Sequence, residues 1–413
     1  MNSASQFEFI SSGRMSFLLN KKSPFLPYHS TTPRLKPEIS IVIPCLNEAK
    51  TIGICVAKAQ KALDEIGIFW EIIVADNGSN DDSQLISKKA GAKVISIPQM
   101  GYGAALKGGI SASSGEFIII GDGDDSYNFL EIRAFVESWK EGNEFVMGNR
   151  FLGGIDDGAM PFLHQYLGNP VLSFIGRLFF QNGFGDFHCG LRGFTRAAFD
   201  KMELGTAGME FASEMVVKAS LLNLKSAEVP VHLYKDGRGR PPHLNTWSDG
   251  WRHLRFLLLF SPRWLFFYPG LTFVFLGMLF SSLLLRSELP FQSLRLDVHT
   301  LLYTSALVLI GFQLIAFYVL SQAFARREGL YIRSGIDLNW FKLERGLLVA
   351  FAFLVLGFGL SLSAVQVWEG QHFGPLNPQI VLRKVIPAVT SILLAFQIST
   401  FSFFMSFLQI KRS

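Results

Sequence analysis

The stretch EFIIIGDGDD, residues 116–125, runs four apolar residues straight into an acidic turn. Phe117, Ile118, Ile119 and Ile120 read as a strand buried on both faces, as in a parallel sheet covered by helices. Asp122, Asp124 and Asp125 then crowd three carboxylates at one strand end. Like charges so close repel unless a cation neutralises them, and a hard divalent ion bridging a diphosphate would do so. A solvated acidic turn is the plain alternative. Placement after a buried strand favours function, because ligands of open α/β sheets gather at the carboxyl ends of the strands.

The same alternation surrounds that stretch. ISIVIP (39–44), WEIIVAD (70–76) and AKVISIP (92–98) read as further strands. EAKTIGICVAKAQKALDEI (48–66), DDSQLISKKAG (81–91) and GYGAALKGGISASS (101–114) read as helices. The fold class expected is α/β with a mainly parallel sheet, and Asn47, Asp76 and Asp122 fall along one sheet edge. Asp76 can accept hydrogen bonds from a base N–H or a ribose hydroxyl, or simply cap its own turn. Pro44, Asn47 and Glu48 end the first strand in the same way, and Glu48 also suits the first turn of a helix. Gly101-Tyr102-Gly103 is neither a Walker loop nor a dinucleotide fingerprint, since the required spacings are broken. Close packing and ligand approach are equal readings of it.

Arginines cluster further on. Arg150 stands in VMGNRF, Arg192 and Arg196 in DFHCGLRGFTR, and Arg238 and Arg240 in YKDGRGRPPHL. The planar guanidinium fork suits phosphate, and a surface charge or headgroup contact is the alternative. Glu210 and Glu214, four apart, share a helix face and could include a base or a sugar-hydroxyl binder. His188, His232 and His243 show no ligand spacing and read as structural or surface residues.

The composition changes near residue 260. Of 413 residues, 49% are hydrophobic, 17% are charged and 40 are Phe, which excludes a disordered or fibrous chain. Cys45, Cys55 and Cys189 lack paired or metal spacing, which argues against a disulfide-stapled secreted domain and a zinc ribbon. Apolar stretches at 265–285, 300–323, 346–368 and 386–409 each approach the roughly 20 residues a helix needs to cross about 30 Å of hydrocarbon. Arg326, Arg327, Arg333, Lys342 and Arg345 lie between the second and third stretches, and Lys411 and Arg412 follow the fourth. The other two loops hold fewer basic residues, so this side should face the cytoplasm. Four spans then bring both termini and the α/β domain to that side, in the inner membrane if the cell is bacterial. Residues 1–37 read as a flexible tail, without an apolar run of signal-peptide length. Residues 245–264 mix Trp, Arg and His with rising apolar content, which suits interfacial helices laying the domain on the bilayer.

Eight motifs in order resemble the polyprenyl-phosphate glycosyltransferases of glycosyltransferase family 2, of which dolichyl-phosphate mannose synthase is the type. They are VIPCLNEAKTI, VADNGSNDDS, GYGAALKGGI, IIIGDGDDSY, VMGNRF, HCGLRGFTR, VPVHLYKDGRGR and LNTWSDGWRHLRFLL. The resemblance implies a GT-A fold over residues 38–244, four transmembrane helices over 265–413 and a nucleotide-sugar donor. Pro44, Asn47, Glu48, Asp76 and Asp122 would line the donor site. Asp122 and Asp124 would hold Mg²⁺ or Mn²⁺. Arg150, Arg192, Arg238 and Arg240 would receive the phosphate of a polyprenyl acceptor. Asp122, Asp124, Arg150 and Arg238 would then be catalytic. Two positions depart from the family: Ser126 stands where the type has Gln, and Asn77 replaces the second Asp common in its DDGS turn.

The chemistry fits these residues without a catalytic His. The acceptor is already anionic at neutral pH, so a single inverting displacement needs no strong base, only positioning and a stabilised leaving group. Expected partners are donor, acceptor and bilayer, with self-association through the membrane helices and no nucleic acid. Rivals are transfer to a diacylglycerol or ceramide hydroxyl, with Glu210 or Glu214 as base, and a non-catalytic membrane scaffold. A processive polysaccharide synthase is disfavoured, because Phe260 sits where its Q-x-x-R-W motif needs Gln.

Overall fold

The computed structural model describes residues 36–239, 246–286, 289–291, 294–327 and 337–410. Strands β1 (Ile39–Cys45), β2 (Trp70–Asp76), β3 (Lys93–Ser96) and β4 (Phe117–Ile120) are linked by helices α1 (Ile52–Ile66), α2 (Ser83–Lys89) and α3 (Tyr102–Ser111). After α4 (Arg133–Lys140) come β5 (Phe145–Asn149), the short α5 (Arg150–Gly153), α6 (Asn169–Phe180), β6 (Arg192–Thr195), α7 (Arg196–Met202), α8 (Phe211–Leu221) and β7 (Ser226–Pro230). The seven strands form one sheet in the order β3-β2-β1-β4-β6-β5-β7. It is parallel except at β6, which runs antiparallel to both β4 and β5. The α/β expectation therefore holds, with one reversed strand that hydrophobic patterning does not mark.

Apolar burial explains the layering. Ile39, Ile41, Val42 and Ile43 of β1 and Phe117, Ile118 and Ile119 of β4 are fully buried, as strands covered on both faces must be. Helix α1 lays Cys55, Val56, Ala59 and Leu63 on the sheet and stops at Gly67, whose φ of 73° is a left-handed cap.

Helix α9 (Thr246–Leu259) leads through a π-helical turn at Arg263–Phe267 into α10 (Tyr268–Leu284). Then follow a two-stranded hairpin, β8 (Leu289–Phe291) with β9 (Leu294–Leu296), and helices α11 (Val298–Arg327), α12 (Leu343–Glu369) and α13 (Pro378–Gln409). Four of these helices, counting α10 from Arg263, are long and apolar enough to cross a membrane. Glycines let α10 and α11 approach closely: a Cβ on Gly270 would lie 2.9 Å from the carbonyl oxygen of Gly311, and one on Gly277 2.7 Å from that of Thr304. Arg383 of α13 ties three helices together, pairing with Asp297 at the start of α11 (2.5 Å) and donating to the Leu284 carbonyl of α10 (3.1 Å).

Candidate active site

Three βα turns and one later loop converge at the carboxyl edge of β1, β2 and β4. Asn47 takes a left-handed φ of 59°, a conformation its short polar side chain tolerates. Its N–H donates to Ser79 Oγ (2.9 Å), and its side-chain oxygen accepts from the Asn80 N–H (2.9 Å). The first and second turns are thereby knitted together. Asp76, fully buried, accepts from the Gly78 and Ser79 N–H groups and from Gln84 Nε2 (2.8 Å). In this structure it caps its own turn.

Asn77 has a role that its departure from the DDGS pattern conceals. Its amide donates to the carbonyls of Ile97 (3.0 Å) and Gln99 (2.7 Å), and its oxygen accepts from the Gly101 N–H (2.8 Å). An aspartate could not donate to two carbonyls. Asn77 thus pins the turn to the entry of α3. That entry is glycine for packing reasons: a Cβ on Gly101 would lie 2.3 Å from the Ala207 carbonyl, and one on Gly103 2.7 Å from Phe211 Cβ.

The acidic turn at the end of β4 resolves into three different carboxylates. Asp122 accepts from the Tyr102 hydroxyl (3.0 Å). Burial first, and the Asp124 charge second, raise its pKa from 3.8 to about 6, against the pull of Tyr102, Arg238 and Arg192. Asp124 accepts from the N–H (3.0 Å) and hydroxyl (2.6 Å) of Ser126 through one oxygen. Its other oxygen meets Arg238 Nη2 at 2.6 Å. Asp125 has a φ of 63° and pairs with Lys58 at 2.7 Å, so it is engaged elsewhere. Ser126 accordingly orients Asp124.

Arg238 lies across this turn. Its fork reaches Glu48 Oε1 (3.5 Å) as well as Asp124. The loop that carries it is fastened by the Gly237 N–H to the Asp124 carbonyl (3.0 Å) and the Tyr234 N–H to the Ser126 carbonyl (2.9 Å). A cation already stands among these carboxylates, in the form of a guanidinium. Among the described residues, no group of three or more His, Cys, Asp or Glu side chains is arranged to hold a metal ion. Asp122 and Asp124 do fit one as a pair of hard oxygen donors, whose mutual repulsion a divalent ion would relieve.

The other arginines divide. Arg150 is buried and its Nε and Nη2 grip Asp186 as a two-pronged pair (2.6 and 2.8 Å). Arg192 corrects the sequence expectation that it receives phosphate directly. It is 1% exposed and donates to the carbonyls of Cys189, Ala212 and Phe187, so its fork is occupied by backbone. Arg240 lies outside the described residues. Glu214, a candidate base for a hydroxyl acceptor, accepts from Gly205 and Thr206 and pairs with Lys218 (2.9 Å). It is a structural clasp, and only Glu210 remains for the hydroxyl-acceptor reading. The bond from Tyr102 to Asp122 has no signal in the sequence, although Tyr102 is the one large residue in the GYGAA run.

The α/β domain meets the start of the membrane helices beside an apolar face. On and before α6, Phe162, Tyr166 and Phe174 are 72%, 64% and 57% exposed, with Leu163, Leu167 and Val171 beside them. Phe179 of the same helix stacks on Trp264 at 5.3 Å, where the first membrane helix begins.

Comparison with known proteins agrees with this architecture. The family model for glycosyl transferase family 2 matches residues 40–203, and that for the glycosyltransferase family 2 C-terminal transmembrane region matches 319–409. The low-salt glycan biosynthesis hexosyltransferase Agl6 of Haloferax volcanii is 32% identical over 366 residues, 87% of this chain and 86% of that protein. The undecaprenyl-phosphate 4-deoxy-4-formamido-L-arabinose transferase of Salmonella paratyphi B is 27% identical over 202 residues, 47% of this chain and 59% of that one. Among solved structures, glucosyl-3-phosphoglycerate synthase from Mycobacterium tuberculosis aligns with 21% identity and a TM-score of 0.43, over 54% of this chain and 78% of that one.

Proposed function

The chain belongs to glycosyltransferase family 2, and we propose that it moves a hexose from a UDP- or GDP-sugar to a polyprenyl phosphate at the cytoplasmic membrane face. The product would feed cell-envelope glycan or glycoconjugate synthesis. The observation that carries this reading is the Asp122/Asp124 pair at the end of β4, balanced by Arg238, in a chain whose membrane helices follow directly. Two relatives support it: one is named a hexosyltransferase and the other an undecaprenyl-phosphate transferase.

Pro44, Asn47, Glu48 and Asp76 would frame the nucleoside, at the edge where the first two turns are knitted together. Asp122 and Asp124 would hold Mg²⁺ or Mn²⁺, which when bound would offset the charge developing on the nucleoside diphosphate. Ser126 and Tyr102 keep the two carboxylates aimed. Arg238, already beside Asp124, and Arg150, set rigidly by Asp186, would orient the acceptor phosphate for in-line attack. The apolar face of α6 and the Phe179–Trp264 stack would bring this site down to the headgroup layer, where the phosphate of a membrane-embedded prenol lies.

Transfer from labelled UDP-glucose, UDP-GlcNAc, UDP-galactose and GDP-mannose to undecaprenyl phosphate, with and without Mg²⁺ or Mn²⁺, tests this reading. An acid-labile labelled lipid from one donor is the expected product. Label passing instead to diacylglycerol or ceramide would replace it with the hydroxyl-acceptor reading.

A further inference from the structure

His188 lies outside the roles assigned so far. Both its ring nitrogens are buried without a hydrogen-bond partner. Its backbone N–H donates to Asp186 Oδ1 (3.2 Å), the carboxylate that holds Arg150. The ring packs edge-on against His253 at 4.6 Å, and His253 Nδ1 lies 2.8 Å from Ser213 Oγ. Burial, with His253, Arg150, Arg192 and His164 around it, keeps the imidazole neutral, so it presents one N–H donor and one bare nitrogen. A structural core histidine normally has its nitrogens satisfied. An unsatisfied buried polar group costs about 1–3 kcal/mol.

A second observation points the same way. Arg192 is 1% exposed and donates to three backbone carbonyls. Among the described residues no carboxylate pairs with it, whereas Arg150 has Asp186. The environment of His188 therefore holds two buried guanidinium groups, Arg150 paired with Asp186 and Arg192 held by carbonyls, with the Asp122 carboxylate as a further charge acting on Arg192. It also borders the acidic turn: a Cβ on Gly190, two residues along, would lie 2.4 Å from Asp122 Oδ2. His253 belongs to α9, the helix that precedes the first membrane-length helix.

We infer that His188 is a phosphate-binding residue, its ring N–H donating to a phosphate group drawn beside Asp122 by Arg150 and Arg192. The inference rests on the phosphate acceptor proposed above and adds a residue to that site. The cost of the unpaired imidazole is then offset only when the phosphate is present.

The test uses the full chain in detergent, titrated separately with farnesyl phosphate, inorganic phosphate and UDP, and melted without ligand. His188→Phe removes only nitrogens that have no partner, so its melting temperature should equal or exceed that of wild type. Its affinity for farnesyl phosphate should fall about 10-fold or more, the loss expected for a charge-assisted hydrogen bond. UDP affinity should not change, and His188→Asn, which keeps a donor, should recover most of the loss. Undiminished farnesyl phosphate binding by His188→Phe overturns the inference, as does equal loss of UDP and phosphate binding together with a lower melting temperature. Wild type that binds UDP but neither phosphate overturns both this inference and the acceptor reading. Loss of inorganic phosphate binding on substitution, with no farnesyl phosphate binding by wild type, keeps the anion site and rejects its lipid source.

Discussion

Replacing Asp122 with Asn should make the protein more stable and inactive at once. The carboxylate is partly buried at the end of β4, and its pKa rises from 3.8 to about 6 through desolvation and the neighbouring Asp124. A folded-state pKa above the unfolded one means that the native state binds the proton more tightly. Asp122 therefore contributes stability below about pH 4, and that contribution is lost as pH rises through about 6. The difference, 6 − 3.8, is about 2 pH units, or at most about 3 kcal/mol of strain above pH 7. Asn keeps an oxygen for the Tyr102 hydroxyl and removes the charge. In a thermal melt at about pH 8, Asp122→Asn should exceed wild type by up to roughly 6–12 °C, at about 2–4 °C per kcal/mol for a domain of this size. The gap should close near pH 4, where wild type is also protonated. Mn²⁺ should raise the melting temperature of wild type and leave the variant unmoved, and the variant should not transfer sugar. A variant that melts at or below wild type at pH 8 would refute the reasoning, because the Asp122 charge would then not be a burden in the folded state.

Two further substitutions probe the scaffold of the site. Asn77→Asp sets a carboxylate against the carbonyls of Ile97 and Gln99. It should cost about 2–4 kcal/mol and weaken nucleotide binding, read as a lower melting temperature and a higher Kd for UDP; an unchanged melt would dismiss the pinning role. Phe162→Ser with Phe174→Ser removes two exposed rings from the α6 face. In liposomes, transfer to undecaprenyl phosphate should fall about 10-fold while nucleotide binding in detergent stays constant. Unaltered transfer would detach that face from the bilayer.

Much of this protein is legible in local pattern. Four apolar runs of membrane-spanning length, the buried strands and the acidic turn after β4 depend on hydropathy and periodicity over a few residues, which tertiary context does not alter. The converging strand ends follow from the same patterns, since parallel strands linked by helices bring their carboxyl ends to one edge. The reversed strand β6 was not legible, because a short buried strand reads alike in either direction. Nor were the fates of individual charges. Arg150, Arg192 and Arg238 look equally suited to phosphate in the sequence. Only folding gives the first a carboxylate, walls the second with carbonyls and lays the third across Asp124. Asn77 looks like a lost aspartate until its amide is seen bridging two carbonyls.

The sequence by itself determined the class of sheet, the membrane half and the acidic turn, because burial and helix length are properties of short runs. Which side chains face one another, and so which partner each arginine meets and which described histidine has unpaired ring nitrogens, was decided only by the tertiary structure. Hydrogen bonds and ion pairs act over about 3 Å, between residues that the chain itself keeps far apart.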